Sequence, residues 1–426
     1  MSASRKIDAD GIVLLYHHQA PYAATVMEHV HAFAEHSSFP VWEVNVDYGF
    51  PKGLAELAPR AIVLHYSLFG AETYQLPDAF RRWLREADQS YLIAFFQDEH
   101  QHCRQRFEFI DQYKIDCVYT LVEPEYHAAV YGGNTHGPRT VYTLTGYVSD
   151  ELVRLSAMKA LPDSDRRIDI GYRSRSLPWY QGRGAQEKWQ IGAEFLRRAA
   201  GSGLVVDIAM DEDSRLYGNA WTDFLASSRA FIGVEAGVSI FDLTGEVKAQ
   251  HDALLAEDPG MTFDEMEARL LSRYEERIPY RTVSPRHFEA AAFRVVQILF
   301  EGKYSGVLEP MRHYIPLKKD FSNFDEVIAL YRDPAIRDRL TENAYADLIE
   351  SDRYTYRSFV HSFDEDLAAV GIGPRGGSDN HRIARLLRRG TLLGRAKALG
   401  RPYYRRAVPH SVRVGARAAL DRLTGR

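Results

Sequence analysis

Arg173, Arg175 and Arg183 stand close together in DIGYRSRSLPWYQGRGAQEKWQIGAEF (Asp169–Phe195), and Lys188 follows just behind them. The segment predicts a strand that runs into a Gly- and Arg-containing loop and then into a helix starting near Ala185. Cations gathered at a helix N-terminus, where the first N–H groups have no intrahelical partner, suit a diphosphate. Neither GxGxxG nor GxxxxGK[ST] occurs there, so neither a dinucleotide fingerprint nor a P-loop is supported. The competing reading is three surface arginines.

A second group lies in SPRHFEAAAFRVVQILFEGKYSGVLEP (Ser284–Pro310). Ser284 suits a helix N-cap with Pro285 at the first helical position, and the small residues Ala290–Ala292 let that helix approach a ligand closely. Glu289, one turn in, can accept hydrogen bonds from vicinal sugar hydroxyls, while Arg286 and His287 face an anion at the helix start. The same residues would also make a capped core helix with solvated ends. Metal chemistry is less well supplied, although ten of the 16 histidines precede residue 140. His29 and His31 are two apart on a predicted helix and so point to different faces, and no HExxH occurs. Asp98, Glu99, His100, His102 and Cys103 are dense but lack matching ligands elsewhere, and Asp211-Glu212-Asp213 reads as an acidic turn. No metal and no cofactor is predicted.

The elements that must position these groups alternate regularly. Strand-like runs are Gly11–Leu15, Val41–Val46, Ala61–His65, Tyr91–Phe96, Cys117–Leu121 and Thr140–Leu144, with Ala24–His36 the clearest helix between them. A polar stretch, Ser156–Arg167, interrupts the pattern. It restarts with Ile168–Tyr172, Leu204–Ala209, Ala230–Val234, Val295–Leu299 and His313–Leu317, so the spacing predicts an α/β protein of two Rossmann-like domains, residues 1–160 and 161–370. An acidic insertion at about 246–280 reads as a solvated helical hairpin. Helices are expected over Phe324–Tyr331, Pro334–Glu350 and Tyr354–Ala369, and a basic helical tail over 371–426.

Composition agrees with a folded chain: 45% of residues are apolar, 26% charged and 12% aromatic, which excludes a disordered or fibrous protein. No apolar run is long enough to span a bilayer, and the start, MSASRKIDADGIVLLYHHQ, lacks a secretory pattern. Two cysteines, Cys103 and Cys117, cannot build a disulfide framework, so a reducing cytoplasm is expected. The net charge of −5 is split, because Gly376–Arg426 carries +11 and residues 1–375 carry −16. An acidic body argues against nucleic acid as a partner.

Taken together, SPRHFEAAA, the YSG turn (Tyr304–Gly306), HYIPL followed by Asp320, and DRYTYRSFV (Asp352–Val360) resemble the C-terminal domain of GT-B glycosyltransferases. The likeness is nearest to the spore-maturation-protein-like glycosyltransferases found among bacterial surface-polysaccharide genes. IDIGYRSR (Ile168–Arg175) and GVEAGVSIFDLTG (Gly233–Gly245) are similar to the preceding parts of such chains. The resemblance implies two Rossmann-like domains facing across a cleft and a nucleoside-diphosphate-sugar donor held chiefly by the C-terminal one. It implies that Glu289 holds the nucleotide ribose and that Arg173, Arg175 and Lys188 lie near the diphosphate. Where related retaining enzymes carry a further glutamate, this chain has Arg281; Glu235 in the VEAGVS turn is the replacement considered.

On that reading the N-terminal domain holds a hydroxyl acceptor, a glycan or lipid-linked glycan. His17 and His18 end its first strand, at the carboxyl edge of the sheet. A histidine titrating near neutrality can take the proton of the attacking hydroxyl, and His18 is the candidate, with a structural histidine as the competing reading. Asp98 or Glu99, also just past a strand, could be the base instead. The alternatives to a transferase are a nucleotide-sugar epimerase of the same architecture and a non-catalytic nucleotide-sugar-binding scaffold. In the tail, Ile383, Leu386, Leu387, Leu392 and Leu393 lie among arginines, with Tyr403 and Tyr404 beyond. This predicts association with an anionic membrane surface, at the inner face of the plasma membrane, against the alternative of a solvated or packed tail.

Overall fold

The computed structural model describes residues 6–18, 24–70, 74–374, 376 and 379–388. In chain order the elements are β1 (Ile7–Tyr16), α1 (Ala24–His36), β2 (Val41–Asn45), β3 (Leu57–Leu64), α2 (Asp78–Arg85), β4 (Tyr91–Phe95), α3 (Cys103–Tyr113), β5 (Cys117–Thr120), β6 (Arg139–Tyr142) and α4 (Asp150–Lys159). There follow β7 (Ile168–Arg173), α5 (Arg183–Ala199), β8 (Val206–Ala209), α6 (Asn219–Ser227), β9 (Ser228–Gly233), β10 (Ala236–Val238), α7 (Glu246–Glu257), α8 (Phe263–Arg269) and β11 (Tyr280–Thr282). The chain continues through α9 (Pro285–Ala292), β12 (Val296–Phe300), β13 (Tyr314–Leu317), α10 (Phe324–Arg332), α11 (Pro334–Tyr345), α12 (Tyr356–Ala369) and α13 (Asn380–Arg388). Two compact units result: Met1–Ala20, Phe39–Tyr91 and Pro374–Arg426 form the first, Pro21–Ser38 and Leu92–Gly373 the second.

In the first unit β1 pairs in parallel with β2 on one side and β3 on the other, Leu14 lying opposite both Glu43 and Val63. Residues Ala9–Tyr16 are all buried, the near-continuous apolar run of a strand inside a parallel sheet. The register slips between Ala9 and Ile12, and Gly11 is required there because a Cβ would lie 2.3 Å from the Pro40 carbonyl oxygen. The start of the basic tail belongs to this unit. Ile383 and Leu387 of α13 are buried, and Gly53 in the turn Lys52–Glu56 lies so close under Leu386 that a Cβ would come within 2.8 Å of it. This part of the tail is therefore packed into the unit and not presented to solvent as an apolar stripe. Leu392, Leu393, Tyr403 and Tyr404 lie outside the described residues.

The second unit holds the parallel strands β4-β5-β6 and a five-stranded parallel sheet ordered β13-β12-β9-β7-β8, in the α/β class the alternation predicts. Ile170, Ala230, Ile232, Ile298 and Leu299 from the strands meet Ile191 and Phe195 of α5 and Phe288 of α9 in one core. Each large side chain so buried contributes ~1.5–3 kcal/mol. Three local readings need correction. The polar stretch from Ser156 is helical as far as Lys159: Ser149 caps α4 by accepting the Leu152 N–H, and Lys159 reaches Thr222 and Asp223. Helix α5 starts at Arg183, which places that arginine on the helix and not in the loop. The insertion is more than a solvated hairpin, since Ile240, Val247, Met261, Met266, Leu270 and Leu271 form a small core of their own. It is bracketed by β10 and β11, an antiparallel ribbon with Gly237 opposite Arg281. Gly237 has φ +92°, and a Cβ would sit 1.8 Å from the Tyr280 carbonyl oxygen, so only glycine fits.

His29 on α1 is enclosed by Phe33, Phe95, Tyr356 and Phe359, with ring centroids 5.2–5.9 Å away. Burial pulls this imidazole down to about 3, His100 to about 3 and His287 to about 4. All three are neutral in the fold, so below their ordinary value of 6.5 the unfolded chain binds protons that the native state refuses. Glu28, pushed up by burial to about 7 from 4.5, works oppositely, because the native state takes its proton first and gains stability as pH falls between those values. Three histidines outweigh one carboxylate, so stability should fall as pH drops below 6.5, with a slope approaching ~3 kcal/mol per pH unit and steepening below 4.5, where Glu28 no longer opposes them. Urea midpoints measured at fixed pH steps check this; midpoints unchanged from pH 6.5 to 5 would contradict it.

Candidate active site

A cavity of about 660 Å³ opens at the carboxyl ends of β7 and β9, and every residue lining it belongs to the second unit. Such sheet edges are where open α/β folds bind ligands. Basic side chains line the cavity. Lys188, in the second turn of α5, donates to the Gly237 carbonyl at 3.1 Å; burial lowers its ammonium to about 8 while Asp98 opposes the shift. Arg175 lies exposed in the loop after β7, with Glu212 4.0 Å away. Arg286, at the start of α9, donates to the Arg173 carbonyl at 2.6 Å and lies 5.3 Å from the Trp221 ring centre. Ser284 caps α9 as its sequence predicts, accepting the Arg286 N–H.

Four carboxylates line the cavity as well. The Glu289 carboxylate accepts the Trp221 indole N–H at 2.7 Å, and burial raises its pKa against the pull of that hydrogen bond and of Arg286. Glu28 on α1 lines the same cavity, receives a hydrogen bond from Ser149, and is raised by burial and by Glu289. Glu235 follows β9; its Oε1 accepts the Tyr304 N–H at 2.7 Å, and Gly302 packs against the carboxyl so closely that a Cβ would meet it at 2.7 Å. Burial pushes Glu235 up, with Arg281 and Lys319 opposing. Asp98 is exposed, lines the cavity and holds a left-handed backbone (φ +52°).

Of the residues singled out by sequence, Asp98, Arg173, Arg175, Lys188, Glu235, Arg286, His287 and Glu289 all line this one cavity. Arg173 and His287 are held differently from expectation. Arg173 is committed to Asp207 at 2.8 Å and to the Phe224 face at 4.3 Å, so it braces the strand end and offers Arg286 its carbonyl. His287 is buried, its Nδ1 2.8 Å from the Gln297 Oε1, and does not face outward with Arg286. Arg183 points away to Glu267 and Asp264. The N-terminus of α5 is not open to an anion, because Glu275 accepts the Arg183 N–H at 2.7 Å and Ser239 the Gly184 N–H at 2.8 Å. Glu99 cannot be the base: its carboxylate is buried and accepts from Thr120, Leu121, Tyr131 and Tyr280. Arg281 is engaged by Glu187 at 2.9 Å and Glu276 at 2.7 Å and is not among the lining residues. His18 belongs to the first unit, where its carbonyl accepts from Asn45 Nδ2 at 3.0 Å.

Sequence reasoning missed Glu28 and Trp221. Glu28 sits on an otherwise ordinary helix, and only its position one element after a sheet edge could have drawn attention to it. Asp211 accepts from both the Ser214 N–H and its hydroxyl, the acidic turn its sequence suggests. Among the described residues no group of three or more His, Cys, Asp or Glu is placed to hold a metal ion, and no helix is long and apolar enough to cross a membrane.

No protein-family model matches the sequence, and no curated protein matches it. Among solved structures the chain is similar to an alpha-glucosyltransferase in complex with UDP and a 13-mer DNA containing an HMU base, at 11% identity over 84% of this chain and 99% of that one, with a TM-score of 0.48. It is also similar to sucrose-phosphate synthase from Thermosynechococcus elongatus, at 11% identity over 85% and 99% with a TM-score of 0.46. HepE of Anabaena in complex with UDP and glucose gives 12% identity over 84% and 99%, with a TM-score of 0.43.

Proposed function

We propose that the protein is a GT-B-type glycosyltransferase that moves a sugar from a nucleoside-diphosphate-sugar to a hydroxyl of a glycan or lipid-linked glycan in surface polysaccharide synthesis. The observation that carries this reading is the set of groups gathered in one cavity: Lys188, Arg175 and Arg286, together with Glu289 held by Trp221. That set suits a diphosphate and a ribose, and the sequence resemblance assigns Glu289 the same task. In the transfer the acceptor oxygen bonds to the anomeric carbon, the bond from that carbon to the phosphate oxygen breaks, and the acceptor proton passes to a base. Asp98, which lines the cavity, is the base candidate, and His18 remains the alternative proposed from the sequence. The three cations would stabilise the charge left on the departing diphosphate, so the reaction is proposed to run without a metal.

Incubation with a panel of nucleotide sugars, with and without glycan acceptors, tests the reading. Nucleoside diphosphate released only in the presence of acceptor supports transfer; interconversion of sugars without acceptor supports an epimerase. Turnover should survive excess EDTA, and loss of activity restored by a divalent ion would overturn metal independence.

The tail proposal must respect α13. A truncation after Arg388 keeps Ile383 and Leu387 in place while removing most of the basic residues. The full chain should sediment with anionic vesicles at low salt and be released at high salt, each cation near the surface contributing ~1 kcal/mol. Equal sedimentation of the truncated chain would sink the membrane role.

A further inference from the structure

Glu28, Glu289, Lys188, Arg175 and Arg286 line one cavity. Lys188 responds to Asp98, Arg286, Arg175 and Arg281, whereas the charges acting on Glu28 are Glu289 and Glu151. Arg286 acts on both Lys188 and Glu289. Glu28, which feels Glu289 in the same cavity, is then within reach of the base of a nucleotide whose phosphates meet Lys188 and Arg175 and whose ribose meets Glu289. Leu152 and Leu155 of α4 line the same cavity and give a base apolar surface to lie against.

We propose that Glu28 reads the nucleotide base and selects guanine, an inference that rests on the nucleotide-sugar reading of the cavity. Guanine presents two adjacent N–H donors, N1–H and N2–H, which match the two acceptor oxygens of an ionised carboxylate. Uracil offers one N–H between two carbonyl oxygens that a carboxylate repels. Adenine and cytosine place an amine beside a bare ring nitrogen, and only a protonated carboxyl pairs with that edge. The groups facing Glu28 are Glu289 from α9 and, from α4 and its cap, Glu151 and Ser149; burial and the two carboxylates hold its proton on up to about 7. Guanine binding must displace that proton. It therefore tightens as pH rises from 6 to 8, whereas adenine or cytosine binding through a protonated Glu28 would loosen.

Calorimetric titration of the full chain with GDP, UDP, ADP, CDP and pyrophosphate at pH 6 and pH 8 tests this. At pH 8 GDP should bind about tenfold or more tighter than the other three nucleotides, the scale of one good bidentate contact. Glu28→Gln, which sets a donor against one of guanine's donors, should remove most of that preference and leave pyrophosphate affinity unchanged. UDP, ADP or CDP equalling GDP at pH 8 overturns the assignment and leaves the nucleotide-sugar reading standing. Binding by none of the four overturns both. A GDP preference that persists in Glu28→Gln overturns the role of Glu28. Should that variant not fold, the wild-type ranking and its pH dependence decide the matter by themselves.

Discussion

Glu289→Ala should weaken binding of whichever nucleoside diphosphate the wild type holds best by ~1–3 kcal/mol, about tenfold to a hundredfold, the scale of losing hydrogen bonds to a charged acceptor. Two effects add in the same direction. The ribose hydroxyls lose their acceptor, and the Trp221 indole, which donates to Glu289 at 2.7 Å, loses the group that orients it under Arg286. Glu289→Gln keeps one carbonyl acceptor and should fall between the alanine variant and wild type. Trp221→Phe separates the two effects, since it leaves the carboxylate but removes the bond that aims it. Titration calorimetry gives all four affinities, and equal values for wild type and Glu289→Ala would remove Glu289 from the binding site.

Glu99→Ala should be the most damaging single change to stability, at ~3–5 kcal/mol, the cost of breaking a buried charged network from one side. The carboxylate accepts from the Thr120 hydroxyl at 2.5 Å, the Leu121 N–H at 2.8 Å, the Tyr280 hydroxyl at 3.2 Å and the Tyr131 hydroxyl. Its removal leaves these donors buried and the Arg106 guanidinium, 3% exposed, without the charge it faces. Glu99→Gln keeps the volume and should cost less, ~1–3 kcal/mol. Because Tyr280 lies on β11, and Asp98 and His100 flank Glu99 at the cavity wall, the alanine variant should also lose ligand affinity at temperatures where it remains folded. Urea titration measures the stability loss; a change below about 1 kcal/mol would show that the four donors find other partners.

The strands were legible because each is a compact apolar run of the kind a parallel sheet demands. Val41–Val46 and Cys117–Leu121 lie within a residue or two of β2 and β5, and α1 is bounded where its periodicity begins and ends. The ribbon of β10 and β11 was not legible: three residues per strand carry no usable alternation, and the pairing joins positions far apart in sequence. At the site, residue type pointed to the right neighbourhood but not to the role. Arg173 and Arg175 look equivalent in YRSR, yet one is tied to Asp207 and the other stays exposed. The difference comes from β8 running alongside β7, which no local pattern encodes. Glu99 and Asp98 are likewise adjacent, and only the left-handed turn at Asp98 sends one carboxylate into the core and leaves the other at the rim.

Across the ribbon, Val238 and Tyr280 lie opposite each other, so everything between them leaves the frame and returns to it at a single port. The parts of that excursion nearest the port are braces: Ser239 and Glu275 satisfy the start of α5, and Glu276 holds Arg281. Helices α7 and α8 line no part of the cavity and close on a core largely of their own. Because the entropy of closing a loop grows only slowly with its length, that outer portion is an exchangeable cassette. Shortening it, or grafting another module in its place, can remodel a whole surface while the braces, and the chemistry behind them, stay put.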